Sequence, residues 1–258
     1  MTKTRLLGAL LATLALAACG EKNQVQDIAG APPGAYVKFF NFGINAPQVN
    51  FYAGAQKMTA ISSTTGVEAT TGVAYGSVGS GGFYGAIEPG TYDITGRIAA
   101  AVDKDLAIAT VNTALADGHA YSFYLTGFYN TTTKQSDAFV IEDVLPPAID
   151  FSTAYVRFVH ASPNANPLQL IARAVAPATI VDSIGGVIAF KNAGAFEAVV
   201  PGTYNLALRY AAATTDAVTR TNVGFVAGRV YTITLRGDIT VTSGTATNRP
   251  FLDNTANR

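Results

Sequence analysis

Few side chains in this chain do chemistry unaided, so their spacing is the first thing to weigh. The 258 residues hold one cysteine, two histidines and no tryptophan. His160-Ala161-Ser162 sets an imidazole two residues from a hydroxyl. Such a pair serves nucleophilic catalysis only if a base faces the hydroxyl and a third group orients the base. No strained strand-to-helix elbow surrounds Ser162. A polar residue closing a strand is the plainer reading of His160, and ligand contact is the next. His119 follows Gly118 and reads as an exposed turn residue. Zinc takes three or four ligands from Cys, His, Asp or Glu, and two histidines do not supply that set. Asp103-Lys104-Asp105 offers two carboxylates to calcium but lacks the glycine and closing glutamate of the helix-loop-helix motif. Glu142-Asp143 reads as a solvated pair, and the glycine-rich stretch 76–85 precedes no helix that could cradle phosphate. No metal, no cofactor and no catalytic residue are expected.

The aromatic residues carry more weight. Phe39-Phe40, Phe51-Tyr52, Phe83-Tyr84 and Phe128-Tyr129 are adjacent pairs in the first half. Neighbours on a strand point to opposite faces, so one member of each pair should enter the core and the other stand outside. The candidate contact residues are Phe40, Tyr52, Tyr84 and Tyr129, with His160 beside them. Exposed aromatics on a rigid sheet suit a glycan, a peptide or an envelope protein. Packing between modules, or cover by loops, is the competing use.

The elements that must hold these residues come in two copies. AYVKF at 35–39 recurs as AYVRF at 154–158, and Asn45-Ala46-Pro47 is answered by Asn164-Ala165-Asn166-Pro167. EPGTYDI at 88–94 matches VPGTYNL at 200–206, and GHAYSFYLTG at 118–127 matches GRVYTITLRG at 228–237. Four blocks in one order mark an internal duplication. Their period is two. Val156, Phe158 and His160 share one face of AYVRFVH, with Tyr155, Arg157 and Val159 opposite. Tyr121, Phe123 and Leu125 oppose Ser122, Tyr124 and Thr126 in the same way. Half-buried antiparallel strands follow. The alanine-rich stretch 98–116 has helix propensity, but its counterpart 210–227 does not, so a loop and a strand over Leu106–Val111 are expected. The fold class is all-β, with two tandem antiparallel β-sandwich, immunoglobulin-like domains. Module 1 is expected at 35–145, a Pro146-Pro147 linker at 146–153, module 2 at 154–241, and at 242–258 a tail that docks its apolar residues on the second sheet.

The ends speak to address. Lys3 and Arg5 precede an apolar run from Leu6 to Ala18 that is too short to span a bilayer comfortably. This is the pattern of a secretory signal peptide. Leu16-Ala17-Ala18-Cys19-Gly20 resembles the lipobox of bacterial lipoproteins. That resemblance implies cleavage before Cys19, a diacylglycerol thioether on its sulfur and an acylated new amino terminus. Several acyl chains anchor firmly where one alone is marginal. Gly20 is not the aspartate of the enteric inner-membrane retention signal, which points to the outer membrane. Residues 19–34 read as anchor and tether. Losing Lys3 and Arg5 from seventeen basic side chains against seventeen acidic leaves a net formal charge of −2. No concentrated basic patch suggests nucleic acid.

At VRFVHASPNA, 156–165, the chain resembles the domain-of-unknown-function family 4397 of exported bacterial proteins. His160-Ala161-Ser162-Pro163 and Pro201-Gly202-Thr203-Tyr204 match its pattern in the second copy. The first copy departs at Asn41-Phe42-Gly43 but keeps Pro89-Gly90-Thr91-Tyr92. The resemblance implies a β-sandwich and export, and no known activity. The expected function is a non-catalytic, lipid-anchored binding, adhesion or scaffolding protein. The alternative is an envelope hydrolase with a site between the modules around His160.

Overall fold

The computed structural model describes residues 33–59 and 71–258. Cys19, the signal-like run and the tether up to residue 32 lie outside the described residues, as do residues 60–70. Gly34–Arg258 forms one unit. Module 1 contributes β1 (Ala35–Asn41), β2 (Val49–Ala53), β3 (Gln56–Lys57), β4 (Ser77–Val78), β5 (Gly85–Ile87), β6 (Gly90–Ile98), β7 (Ala107–Leu115), β8 (Ala120–Asn130) and β9 (Gln135–Glu142). Module 2 contributes β10 (Ala154–His160), β11 (Leu168–Ala174), β12 (Val181–Ile188), β13 (Glu197–Val199), β14 (Gly202–Tyr210), β15 (Val218–Phe225), β16 (Val230–Arg236) and β17 (Phe251–Ala256).

Each module is a sandwich of two sheets. In module 1 the orders are β4-β1-β8-β9, with β5 also on β1, and β3-β2-β6-β7. In module 2 they are β13-β10-β16-β17 and β12-β11-β14-β15. The alternation of the strands builds the cores. Val37 and Phe39 of β1 point inward to meet Phe51, Ile94 and Phe123. The Phe39 ring stacks on Phe51 at 5.2 Å, and Phe123 meets Phe51 edge-on at 5.5 Å. Such ring pairs add about 0.5–1.5 kcal/mol each beyond the area they bury. Val156, Phe158, Leu170, Leu206 and Ile233 do the same work in module 2.

Three features differ from the sequence expectation. First, one pair in each module is parallel. Tyr36 lies opposite Ala120 along β1 and β8, and Tyr155 lies opposite Val230 along β10 and β16. A parallel pair needs a long connection, and the intervening strands supply it. Second, β1, β8, β10 and β16 are buried on both faces rather than one. Their outer faces meet each other: Phe40, Phe42, Tyr124 and Phe139 of module 1 pack with Val159 and Ala161 of module 2. Third, residues 242–258 do not form a docked tail alone. Phe251–Ala256 is a full edge strand on β16, with Leu252 opposite Leu235 and 1% exposed.

The alanine-rich stretch is two strands and a hairpin. β6 ends at Ile98, Asp103 and Asp105 take φ of 56° and 63° in the turn, and β7 runs on to Leu115. Cross-strand pairing and burial of Ile108 and Leu115 override the helix propensity of its alanines.

Candidate functional site

The facing sheets enclose a buried polar cluster. Lys38 on β1 and Arg157 on β10 hold the same place in the two repeats, and both point into the junction, 1% and 2% exposed. Their partners come from the ends of neighbouring strands. Arg157 pairs with the Asp143 carboxylate just past β9, and its Nε donates to Thr232 Oγ1 at 3.0 Å. Asp143 also accepts from Tyr84 Oη at 2.6 Å and Ser122 Oγ at 2.7 Å. Lys38 Nζ donates to the Ala256 carbonyl of β17 at 2.7 Å and stands 4.3 Å from the Tyr84 ring centre. Asn257 closes the ring, donating to Tyr84 Oη at 2.7 Å and accepting from Thr232 Oγ1 at 2.8 Å.

Two cations therefore lie near one carboxylate, with all three side chains buried and only Arg157 paired to it directly. Burial is the larger influence on Lys38 and lowers its pKa to about 8, against the opposing pull of Asp143. Burial, reinforced by the Asp143 charge, drives the Tyr84 phenol far above its ordinary range. The Tyr124 phenol, buried a strand away, is pushed up to about 12. Asp143 was expected on a solvated face and is instead 2% exposed, because the second module covers the end of β9. The sequence did carry a sign of this cluster. A cation recurs at the outward position of both AYV[K/R]F blocks, opposite a hydroxyl, Ser122 or Thr232, on the paired strand.

His160 is fully buried and faces no open surface. Its place in module 1 is taken by Asn41, and the two make matching bonds. Asn41 Oδ1 accepts from Gly43 N at 3.3 Å, and its Nδ2 donates to Pro47 O at 3.3 Å and Val73 O at 2.8 Å. His160 Nδ1 accepts from Ser162 N at 3.4 Å, and Nε2 reaches Asn166 O at 3.3 Å. Accepting at Nδ1 and donating at Nε2 requires the neutral ring with its proton on Nε2. Burial lowers its pKa in the same sense. Ser162 Oγ spends its own proton on Gly237 O at 2.6 Å. Histidine and asparagine thus tie the same strand end to the loop that follows it.

The aromatic pairs do not split as expected. Phe39 and Phe40 are both buried, because the face that Phe40 occupies is covered by module 2; Phe40 stacks on Tyr124 at 4.5 Å. Tyr52 is 7% exposed, covered by the Arg97 guanidinium 4.3 Å above its ring, and its hydroxyl donates to Asp105 at 3.0 Å. Tyr84 belongs to the junction and is half-buried, while its neighbour Phe83 stands outside. Tyr129 is half-buried against the module 1 core, and Phe128 is the outward member. Asp103 pairs with Lys134, and His119 Nδ1 lies 2.7 Å from Glu142 Oε1. Among the described residues, no three side chains of His, Cys, Asp and Glu gather as a metal would need.

Two open grooves flank the buried cluster. One, of about 680 Å³, runs between residues 144–147, where the first module passes into the linker, and the 192–196 loop, with Tyr155, Arg157 and Phe196 in its walls. The other, of about 530 Å³, lies between Phe83-Tyr84 and the 254–258 segment. Residues 35–171 and 154–258 match the family described as Domain of unknown function (DUF4397). The chain belongs to this family. The second DUF4397 match runs through β17 to residue 258, in keeping with a complete second sandwich. A search of the curated proteins finds no match.

Proposed function

We propose that this DUF4397 chain is a lipid-anchored protein of the cell envelope, held in the outer membrane through Cys19, whose two modules form a non-catalytic binding or scaffolding body. The anchor reading rests on Leu16-Ala17-Ala18-Cys19-Gly20 after the apolar run. The non-catalytic reading is supported by one observation above the others: the matching bonds of His160 and Asn41. A residue that asparagine replaces bond for bond works as a strand-end tie, and asparagine has no proton to exchange near neutral pH. The contact surface belongs on the linker groove rather than on the aromatic pairs, since an open apolar groove with a few polar groups is the usual form of a binding site.

Labelling cells with palmitate tests the anchor. The label is expected on the chain and lost in Cys19→Ser; label retained by that variant would overturn it. A photo-crosslinking residue placed at Val144, which is 71% exposed on the groove wall, tests the contact surface against one at Val187, 48% exposed on β12. Adducts with an envelope component are expected from position 144 only. Equal yields from both would remove the groove from the reading. His160→Asn should fold and leave the adduct yield unchanged.

A further inference from the structure

We infer that the end of the body at which the chain enters rests on the lipid surface, with Phe151, Val200 and Val226 set against it. The inference deepens the lipid-anchor reading above and rests on it. The two modules point the same way. Lys38 of β1 reaches the Ala256 carbonyl, beside Tyr231 near the start of β16. Thr126, just past the level of Asn41 at the far end of β1, bonds Ala161, just past the far end of β10. The starts of β1 and β10 therefore share one end of the molecule. Gly34 stands there, held by both of its backbone groups. Its N–H donates to Asp117 Oδ1 at 2.7 Å, and its carbonyl accepts from Gly118 N at 2.8 Å.

The same end carries exposed apolar side chains. Phe151, shortly before β10, lies beside Gly228 and is 82% exposed. Gly228 N donates to Thr153 O at 2.7 Å, which places the 226–229 turn, with Val226 60% exposed, next to the start of β10. Val200, 54% exposed, follows Val199, the partner of Ala154 across β13 and β10. Apolar exposure alone does not choose this end, since Phe128 on β8 and Val102 in the β6–β7 turn stand exposed at the opposite one. The entry of the chain does. Cys19 precedes Gly34 by fifteen residues. A flexible chain of that length spans about 20 Å on average and about 50 Å at most. β8 alone runs eleven residues away from this end, about 35 Å, so seating the opposite end would demand a chain stretched well beyond that average. An acylated Cys19 thus keeps the Gly34 end nearest the bilayer, and a contact made at such an effective concentration needs little affinity of its own. Charges of both signs border this end: Arg229 and Arg258 against Glu88, Asp117, Glu142 and Asp150. Attraction to an anionic surface is therefore not what seats it. The apolar side chains do so, as exposed apolar patches meet membranes, and neutral phospholipid suffices.

The chain has no tryptophan, so one substitution at a time supplies a single fluorophore. Phe151→Trp reports on the seated end and Phe128→Trp on the opposite one. The full-length acylated protein is added to preformed phosphatidylcholine vesicles, plain or with brominated acyl chains, and flotation reports whether it is anchored. Interfacial apolar groups settle about 5–10 Å into the boundary of headgroups and acyl chains, within reach of the bromine, so Phe151→Trp emission is expected to fall by about half or more in brominated vesicles. Phe128→Trp emission is expected to stay unchanged. Adding Val200→Ser and Val226→Ser to Phe151→Trp should restore most of the lost emission while the protein still floats. Quenching at neither position, at both alike, or at position 128 alone would overturn the inference and leave the anchor standing. Emission from position 151 that changes with protein concentration in the absence of vesicles would mark a second copy as the occupant and overturn it too. Protein that does not float would overturn the anchor and the seat together.

Discussion

Lys38 and Arg157 stand at one strand position in two copies, yet burial acts on them differently. A guanidinium stays charged almost wherever it is placed, whereas a buried ammonium gives up its proton. Lys38 falls from the ordinary 10.5 to about 8. In the unfolded chain it keeps its proton to about 10.5, so between pH 8 and 10.5 the unfolded state binds more protons and stability rises with pH. Below pH 8 both states are protonated and the cost of burying the charge is constant. Above about pH 10 the trend reverses, because Tyr84 and Tyr124 keep protons in the fold that unfolded phenols release. Urea unfolding should therefore show stability climbing by about 2 kcal/mol from neutral pH to about pH 9.5. Lys38→Met should flatten that climb and be no less stable at neutral pH, since an apolar group replaces a poorly compensated buried charge. A wild-type profile that is flat over the same range would contradict this account.

Strands β1, β8, β10 and β16 look amphipathic by period, and each is covered twice. Their outer faces carry Lys38, Ser122, Arg157 and Thr232 beside Phe40 and Tyr124, a mixture that suits a partly polar interface rather than open water. β17 is the element whose role is easiest to underrate. It completes the β13-β10-β16-β17 sheet, buries Leu252 in the module 2 core and supplies the Ala256 carbonyl that holds Lys38. Leu252→Ala should cost about 2–5 kcal/mol, the range for a buried leucine truncated to alanine. Thr242→Ala, at an exposed position before the strand, should change stability by less than about 0.5 kcal/mol. A Leu252→Ala cost as small as the Thr242→Ala one would mean that the segment is merely laid on the surface.

At the scale of the whole molecule, the modules are joined by a packed face as well as by a linker. Phe40, Phe42, Tyr124 and Phe139 meet Val159 and Ala161, Thr126 Oγ1 donates to Ala161 O at 2.6 Å, and Lys191 pairs with Asp137 at 2.6 Å. Arg236 of module 2 lies over the Phe42 and Tyr75 rings of module 1, 5.8 and 5.1 Å from their centres. Such a face couples the stability of the two sandwiches. Calorimetry should show one cooperative transition for the native chain. Phe40→Ala, which empties the stacked position against Tyr124, should cost about 3–5 kcal/mol and split the transition in two. Two separate transitions already present in the native chain would show that the face couples nothing.

The class of fold and the duplication are legible in the chain alone, and so is the plainer reading of His160 as a polar residue closing a strand, beside which ligand contact stayed open. These rest on local signals: a period of two, turn pairs such as Pro201-Gly202, and an asparagine standing where the second copy has histidine. Which face of each strand would meet solvent could not be read this way. Period two says that Phe39 and Phe40 point apart, but not that a second module lies beyond Phe40. The same ignorance put Asp143 in solvent and Tyr52 on an open sheet. Only the tertiary structure brought Lys38, Asp143 and Arg157 together, across 105 and 14 residues of chain from Asp143. Their burial and charge balance are properties of two surfaces meeting, and neither surface carries them alone.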